Sequence, residues 1–468
     1  MLNIFNSYIK KSSKNIYLDL FIFFKTQIEN GTIKEKLPPI RQTAQALNIS
    51  TNTVVKAYLE LEKYKYVESK PGSGFFICYS TIYENNDHLS FENEDTLYQY
   101  FSEDIKFDFI NSSPNISFLP VKDIQNSINF ILNRDKEKAL IHSGPLGSSN
   151  LRISIFNYLK KYNIKSSVDN IHILSGAQQG IDIISKALIF PGDIVVVEKP
   201  TYLGALNTFK KQGAKIKEVP ILSDGICLSS LEYILKKDKI KFLYLMSNFQ
   251  TPTGISISNE KKEKLIELSK KYNFFILEDD SSADLFYTNN YPYPIRSLND
   301  ENVIYIKSFS KIFMPGFRLG FCIIPSSILI DFLNLKKLIN LDSSTLYQEA
   351  FAHLLNENLI EKQMLLSRKK YKTIQYLIIY ELKKISDISF FTPKGGLSIW
   401  IKLPHNISGK AIYTKLLRKK TLIVPGYIYS SNLDNYIKLN YAQISETNIK
   451  EGIKLLKNTI LELQFFEL

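Results

Sequence analysis

The sequence predicts an α/β fold preceded by a small helical head, and two observations support this. From Phe107 onward, short apolar runs at residues 171–174, 194–198, 242–246, 274–277 and 303–306 alternate with amphipathic helical patterns. Such alternation builds a mainly parallel sheet with helices on its faces. Past about residue 380, strand-like runs at 396–403, 422–424 and 436–441 surround helical patterns at 410–418 and 447–463. That reads as a small α+β subdomain over about 380–468. Upstream, residues 1–78 carry helical patterns and a short β-rich piece, and residues 79–106 read as an acidic linker.

Each element of the head has a local cause. Residues 16–29 have helical apolar spacing, and Leu37-Pro38-Pro39 breaks the chain. A short helix is expected over 40–47. Asn48-Ile49-Ser50 makes a turn, and Ser50 or Thr51 caps a third helix over 52–64 that buries Val54, Val55, Tyr58 and Leu61. The leading residues Thr51, Asn52, Thr53 and Lys56 would face a DNA major groove. Residues 67–77 read as a hairpin wing turned by Gly72 and Gly74, with Lys70 and Ser73 reaching phosphates. Leu37-Pro38-Pro39-Ile40-Arg41, the run from Ser50 to Tyr58, and Lys70 to Gly74 resemble the GntR-type winged helix-turn-helix. The resemblance implies double-stranded DNA as partner, with Arg41 clamping a phosphate or base edge. Pro39 stands where that family usually has Ser, so one helix cap is lost.

The net charge is +13. It permits nucleic-acid binding, but the Lys, Ile and Asn bias runs through the whole chain and weakens the inference. Cys78, Cys227 and Cys322 are odd in number and lack zinc-site spacing, so no metal site is expected. No apolar run spans a bilayer and the first residues lack a secretory core, so no membrane association and a cytoplasmic location are expected.

The chemistry gathers where strands end. Ser308-Phe309-Ser310-Lys311 follows an apolar strand, and Arg318 follows a few residues later. Lys311 offers an amine, while Ser308, Ser310 and Arg318 suit a phosphate. Asp279 ends another strand, with Asp280 as its rival. Ser175-Gly176-Ala177-Gln178 opens a helix whose N–H groups, Ala177 and Gln178 included, make an anion site. Tyr202 can stack on a flat ring. Amine, acid, phosphate cradle and ring stack are what pyridoxal 5'-phosphate requires. These residues resemble the fold type I aminotransferases, and nearly the full length resembles MocR-type regulators of the GntR family. The resemblance implies a pyridoxal phosphate-dependent transferase-like body holding the cofactor as a Schiff base on Lys311. It also implies an amino-compound effector and a head-to-tail homodimer.

The pattern departs from that family at several positions. Thr251-Pro252-Thr253-Gly254 replaces Asn-Pro-Thr-Gly, so Thr251 takes the place of the side chain that bonds the cofactor's phenolic oxygen. Ser281 and Ser282 follow Asp280 where a Tyr often helps, and Ser281 is a second candidate donor. Lys438 replaces the Arg that grips a substrate carboxylate and lacks its fork. His142 replaces a Tyr that approaches the neighbouring subunit's cofactor. These departures favour a DNA-binding regulator that senses an amino compound. The alternatives are an active aminotransferase with an accessory DNA-binding head, and a regulator that has lost the cofactor.

Overall fold

A computed structural model describes residues 16–29, 33, 36–64, 66–70, 73–77, 105–298, 301–311, 313–340 and 342–465. The chain divides into two compact units, Met1–Ser90 and Phe91–Leu468. Cys78, Gly72 and residues 79–104 of the acidic stretch lie outside the described residues.

The first unit contains α1 (Ile16–Glu29), α2 (Ile40–Leu47), α3 (Thr51–Lys63) and a hairpin of β1 (Val67–Lys70) and β2 (Gly74–Ile77). Pro39 precedes α2 and supplies no side-chain cap. Asn48 takes a left-handed conformation that closes the turn. Ser50 Oγ then accepts the Thr53 N–H at 3.1 Å and caps α3, an interaction typically worth about 1 kcal/mol. Leu20 and Phe24 pack on Val54, Ala57, Tyr58 and Leu61. Val55 is only half-buried, and Ala57 fills the core position instead. Tyr58 donates its hydroxyl to the Pro38 carbonyl at 2.8 Å, which ties α3 to the segment before α2.

The second unit begins with β3 (Phe107–Asp108), which pairs in parallel with the later strand at Thr421–Leu422. Its main sheet holds β4 (Ile171–Leu174), β5 (Ile194–Lys199), β6 (Lys215–Leu222), β7 (Gly225–Ile226), β8 (Phe242–Leu245), β9 (Phe275–Asp279), β10 (Val303–Ser308) and β11 (Gly320–Ile323). The spatial order is β4-β11-β10-β9-β8-β5-β6-β7. Pairing is parallel from β10 through β6, whereas β11 runs antiparallel between β10 and β4. The central strands are buried on both faces, which explains their unbroken apolar runs. Two helices matter for the site: α4 (Ala177–Leu188) follows β4, and α5 (Leu203–Lys211) follows β5.

The C-terminal subdomain carries a four-stranded sheet. Its strands are β12 (Ser389–Phe390), β13 (Ser398–Lys402), β15 (Val424–Pro425) and β16 (Tyr436–Asn440), with β14 (Thr421–Leu422) set apart on β3. Lys106, at the end of the acidic stretch, donates its N–H to the Lys420 carbonyl at 2.9 Å and so joins this body.

His172 in β4 is fully buried and neither ring nitrogen has a hydrogen-bond partner. Burial lowers its pKa to about 3. The unfolded chain protonates this group near about 6.5. The stability of the neutral form is therefore complete above that value and is lost as pH falls toward the folded value. His172→Leu should flatten the decline in urea-unfolding stability between about pH 7 and about pH 5. An unchanged slope would show that other groups govern it.

Candidate functional site

The C-terminal ends of five strands converge on one cavity of about 540 Å³. Ligand sites in such sheets form at these ends. The loop after β4 brings Gly176, Ala177 and Gln178, and the loop after β5 brings Tyr202. Met246, Phe249 and Thr251 follow β8, Asp279 closes β9, and Ser308, Ser310 and Lys311 come from the end of β10. Arg318 arrives from the turn into β11, and Lys438 from β16. Ten anticipated residues thus share one cavity: Lys311, Asp279, Tyr202, Ala177, Gln178, Ser308, Ser310, Arg318, Thr251 and Lys438. His142 is exposed and is not part of the cavity wall in this chain.

The two adjacent carboxylates have different surroundings. Asp279 Oδ1 accepts the Ser281 N–H at 3.1 Å and the Ser281 hydroxyl at 2.5 Å, and Oδ2 accepts the Tyr244 hydroxyl at 3.2 Å. Asp280 is turned into the protein. It accepts from Asn248 Nδ2 at 2.8 Å and from the Tyr305 hydroxyl at 2.8 Å. The Ser281 hydroxyl is therefore engaged with its neighbour two residues back. Thr251, Ser281 and Ser282 are the small hydroxyl side chains that line the cavity there.

Backbone shapes the cavity wall at the β4–α4 turn. Gly176 has φ of 106°, a conformation L side chains rarely adopt. A Cβ placed on it would stand 3.1 Å from Arg318 Nη2. Helix α4 starts at this glycine with no side-chain cap, so its first N–H groups open toward the cavity. Ser310 Oγ is buried without a hydrogen-bond partner. An orphan hydroxyl, uncapped helix amides and a guanidinium form a donor set suited to a phosphate. With Lys311 and Asp279 in the same cavity, these residues fit pyridoxal phosphate.

Glu198 supports the floor. Its carboxylate accepts the Met246 N–H at 3.0 Å, and burial pushes its pKa up to about 8. Gln250 bonds the Pro200 carbonyl at 2.7 Å, linking the loops that carry Tyr202 and Thr251. Lys438 is only 2% exposed. Its ammonium lies 3.5 Å from the Tyr429 hydroxyl.

The sequence reading missed Ser112, Asn207 and Lys211, which also line the cavity. The i, i+3, i+4, i+7 spacing of Gly204, Asn207, Thr208 and Lys211 on α5 was the available signal.

Comparison with known proteins agrees with this geometry. The sequence model of aminotransferase class I and II matches residues 115–456. The chain belongs to that family. The model of bacterial regulatory proteins of the gntR family matches residues 25–77. An uncharacterized HTH-type transcriptional regulator of Bacillus subtilis, YdfD, is 29% identical over 96% of this chain and 96% of its own length. Aromatic-amino-acid aminotransferase 1 of Thermococcus litoralis is 30% identical, covering 73% of this chain and 85% of that protein. The crystal structure of Pyrococcus horikoshii kynurenine aminotransferase, described in complex with PMP, superposes with a TM-score of 0.75 at 31% identity. It covers 79% of this chain and 94% of that one. This aminotransferase-family chain is thus a GntR-type regulator with an aminotransferase-like body, of a family whose members bind pyridoxal phosphate.

In the head, Arg41, Thr51, Asn52, Lys56, Lys70 and Ser73 are exposed. Thr53 is half-buried, and its hydroxyl lies 2.8 Å from Ser50 Oγ. Lys36 and Lys70 both place ammonium groups over the Phe76 ring, at 5.1 and 5.0 Å. Among the described residues, no helix is long and apolar enough to cross a membrane.

Gly176→Ala should weaken cofactor binding at least about tenfold, because left-handed strain and crowding of Arg318 both oppose the cradle. Absorbance titration with pyridoxal phosphate measures this. Unchanged affinity would remove Gly176 from the cradle.

Proposed function

We propose that this protein is a DNA-binding transcription regulator whose body holds pyridoxal phosphate on Lys311 and senses an amino compound. The observation that carries the reading is the gathering of Lys311, Asp279, Arg318 and Lys438 in one cavity of a chain with a winged helix-turn-helix head. The bound cofactor supplies an aldehyde carbon at which amines exchange. Lys311 provides the resident amine. Asp279, held by Ser281 and Tyr244, keeps the ring nitrogen protonated. Tyr202 stacks on the ring, while Ser308, Ser310, Arg318 and the first N–H groups of α4 hold the phosphate. Thr251 bonds the phenolic oxygen. Lys438 receives the ligand's carboxylate.

Ligand occupancy acts on DNA through a shift between body states of different ligand affinity. Arg41, Thr51, Asn52, Thr53, Lys56, Lys70 and Ser73 contact the operator, with Lys70 and Ser73 on phosphates. A head-to-tail homodimer places His142 at the partner's cavity. Lys438 lacks the fork of arginine, which disfavours efficient transamination.

Two measurements test this. Wild-type protein with added cofactor should give a visible band that borohydride fixes to the chain, and Lys311→Ala should give none. A trapped adduct in the alanine variant would move the attachment elsewhere. In the head, Lys70→Ala should weaken binding across sequences and reduce the slope of log affinity against log salt by about one. An unchanged slope would remove Lys70 from the phosphate contacts.

A further inference from the structure

We infer that the second unit carries a DNA contact of its own, an exposed stripe of lysine and tyrosine on one helix that holds the duplex flanking the operator by its phosphates. The inference goes beyond the reading above, which places the DNA contacts in the head.

The stripe lies on α6 (Leu359–Leu382) and the residue directly after it. Lys362, Lys369, Tyr376, Tyr380 and Lys383 are exposed. They succeed one another at intervals of seven, seven, four and three residues, which puts them on one helical face. The exposed Lys372 stands beside Lys369 and Tyr376, three and four residues away. From Lys362 to Lys383 the face runs for about 31 Å. One turn of duplex is about as long, at about 34 Å.

A run of lysines on an exposed helix is by itself only a solvated face. Three observations set this one apart. The lysine bias of the chain does not explain it, because α7 (Glu446–Phe465) carries three lysines and three glutamates. On α6, five basic side chains stand against Glu361 and Glu381. Both acids are already paired, with Lys161 and Lys384, each at 2.7 Å. Among the described residues, Lys362, Lys369, Lys372 and Lys383 have no carboxylate partner. The helix dipole does not explain the pattern either. It favours cations in the last turn, whereas Lys369 and Lys372 stand mid-helix. Finally, the same face leaves large apolar groups in water. Tyr376 and Tyr380 are 68% and 54% exposed, and the exposed Leu365 and Leu366 fill the gap between Lys362 and Lys369. Contiguous exposed apolar area of this kind marks a contact surface.

Unpaired ammonium groups along a helix call for a polyanion. The polyanion that a GntR-type head binds is double-stranded DNA. Lysine and tyrosine both donate to phosphate oxygens. Such contacts carry no sequence information, so the stripe adds affinity for whatever sequence flanks the operator.

The experiment measures the affinity of the full-length protein for a duplex selected from random sequence, by fluorescence anisotropy. The duplex is either trimmed to its selected core or extended on both sides by arbitrary sequence. The extended duplex should bind at least about tenfold more tightly, with a slope of log affinity against log salt steeper by about 0.9 for each phosphate held. Lys362→Gln, Lys369→Gln, Lys372→Gln and Lys383→Gln combined should reduce that gain to below about twofold and leave the affinity for the trimmed duplex unchanged. The same four positions changed to arginine should keep the gain, because the charge stays. Urea unfolding of the glutamine variant should match the wild type, since exposed substitutions of this kind alter stability little. No gain from the flanks in the wild type, or the full gain in the glutamine variant, overturns the inference. Either result leaves the DNA reading of the head intact, because binding to the trimmed duplex tests that separately.

Discussion

The close approach of two backbone turns sets the site. A Cβ on Gly320 would stand 2.7 Å from the Lys307 carbonyl and 3.3 Å from Gly176 Cα. One on Gly176 would crowd Arg318. The β4–α4 turn and the start of β11 therefore meet backbone to backbone, as glycine alone allows. Because β11 lies antiparallel between β4 and β10, this contact brings the helix amides, the guanidinium and the Lys311 loop to one edge of the cavity. Arg318 accepts a left-handed conformation to reach it.

A buried ionic network lies at the ends of β9 and β10. Lys307 is fully buried and pairs with Asp284 at 2.8 Å and with Asp280 at 3.9 Å. Burial raises the proton affinity of Glu278 and Asp280. Glu278 accepts the N–H groups of Ile295 and Arg296 at 2.7 and 2.8 Å. Removing one member leaves its partners buried and uncompensated, which is costly. The network fixes the end of β9 and holds Asp280 away from the cavity, so among the described lining residues Asp279 is the one that presents a carboxylate.

Much of this was legible in the sequence. Parallel strands buried on both faces leave apolar runs, and the ends of those runs pointed to Tyr202, Thr251, Asp279 and Lys311, which line one cavity. The antiparallel β11 was missed, because Gly320-Phe321-Cys322-Ile323 is short and its pairing with β4 is remote in sequence. The bond from the Ser281 hydroxyl to Asp279 was not foreseen, because a contact between residues two apart leaves no mark in the residue pattern. Lys211 was overlooked because a lysine in a helix's last turn is expected on dipole grounds alone. Only the packing of α5 against the cavity gives it another meaning.

The account's central claim is that chemistry at Lys311 is read out at DNA. The most direct measurement is the affinity of cofactor-loaded protein for a duplex selected from random sequence, by fluorescence anisotropy, with and without saturating amino compound. The account predicts a change of at least about fivefold in the wild type and none in Lys311→Ala. Equal affinities in the wild type, or the same change in both proteins, would contradict it.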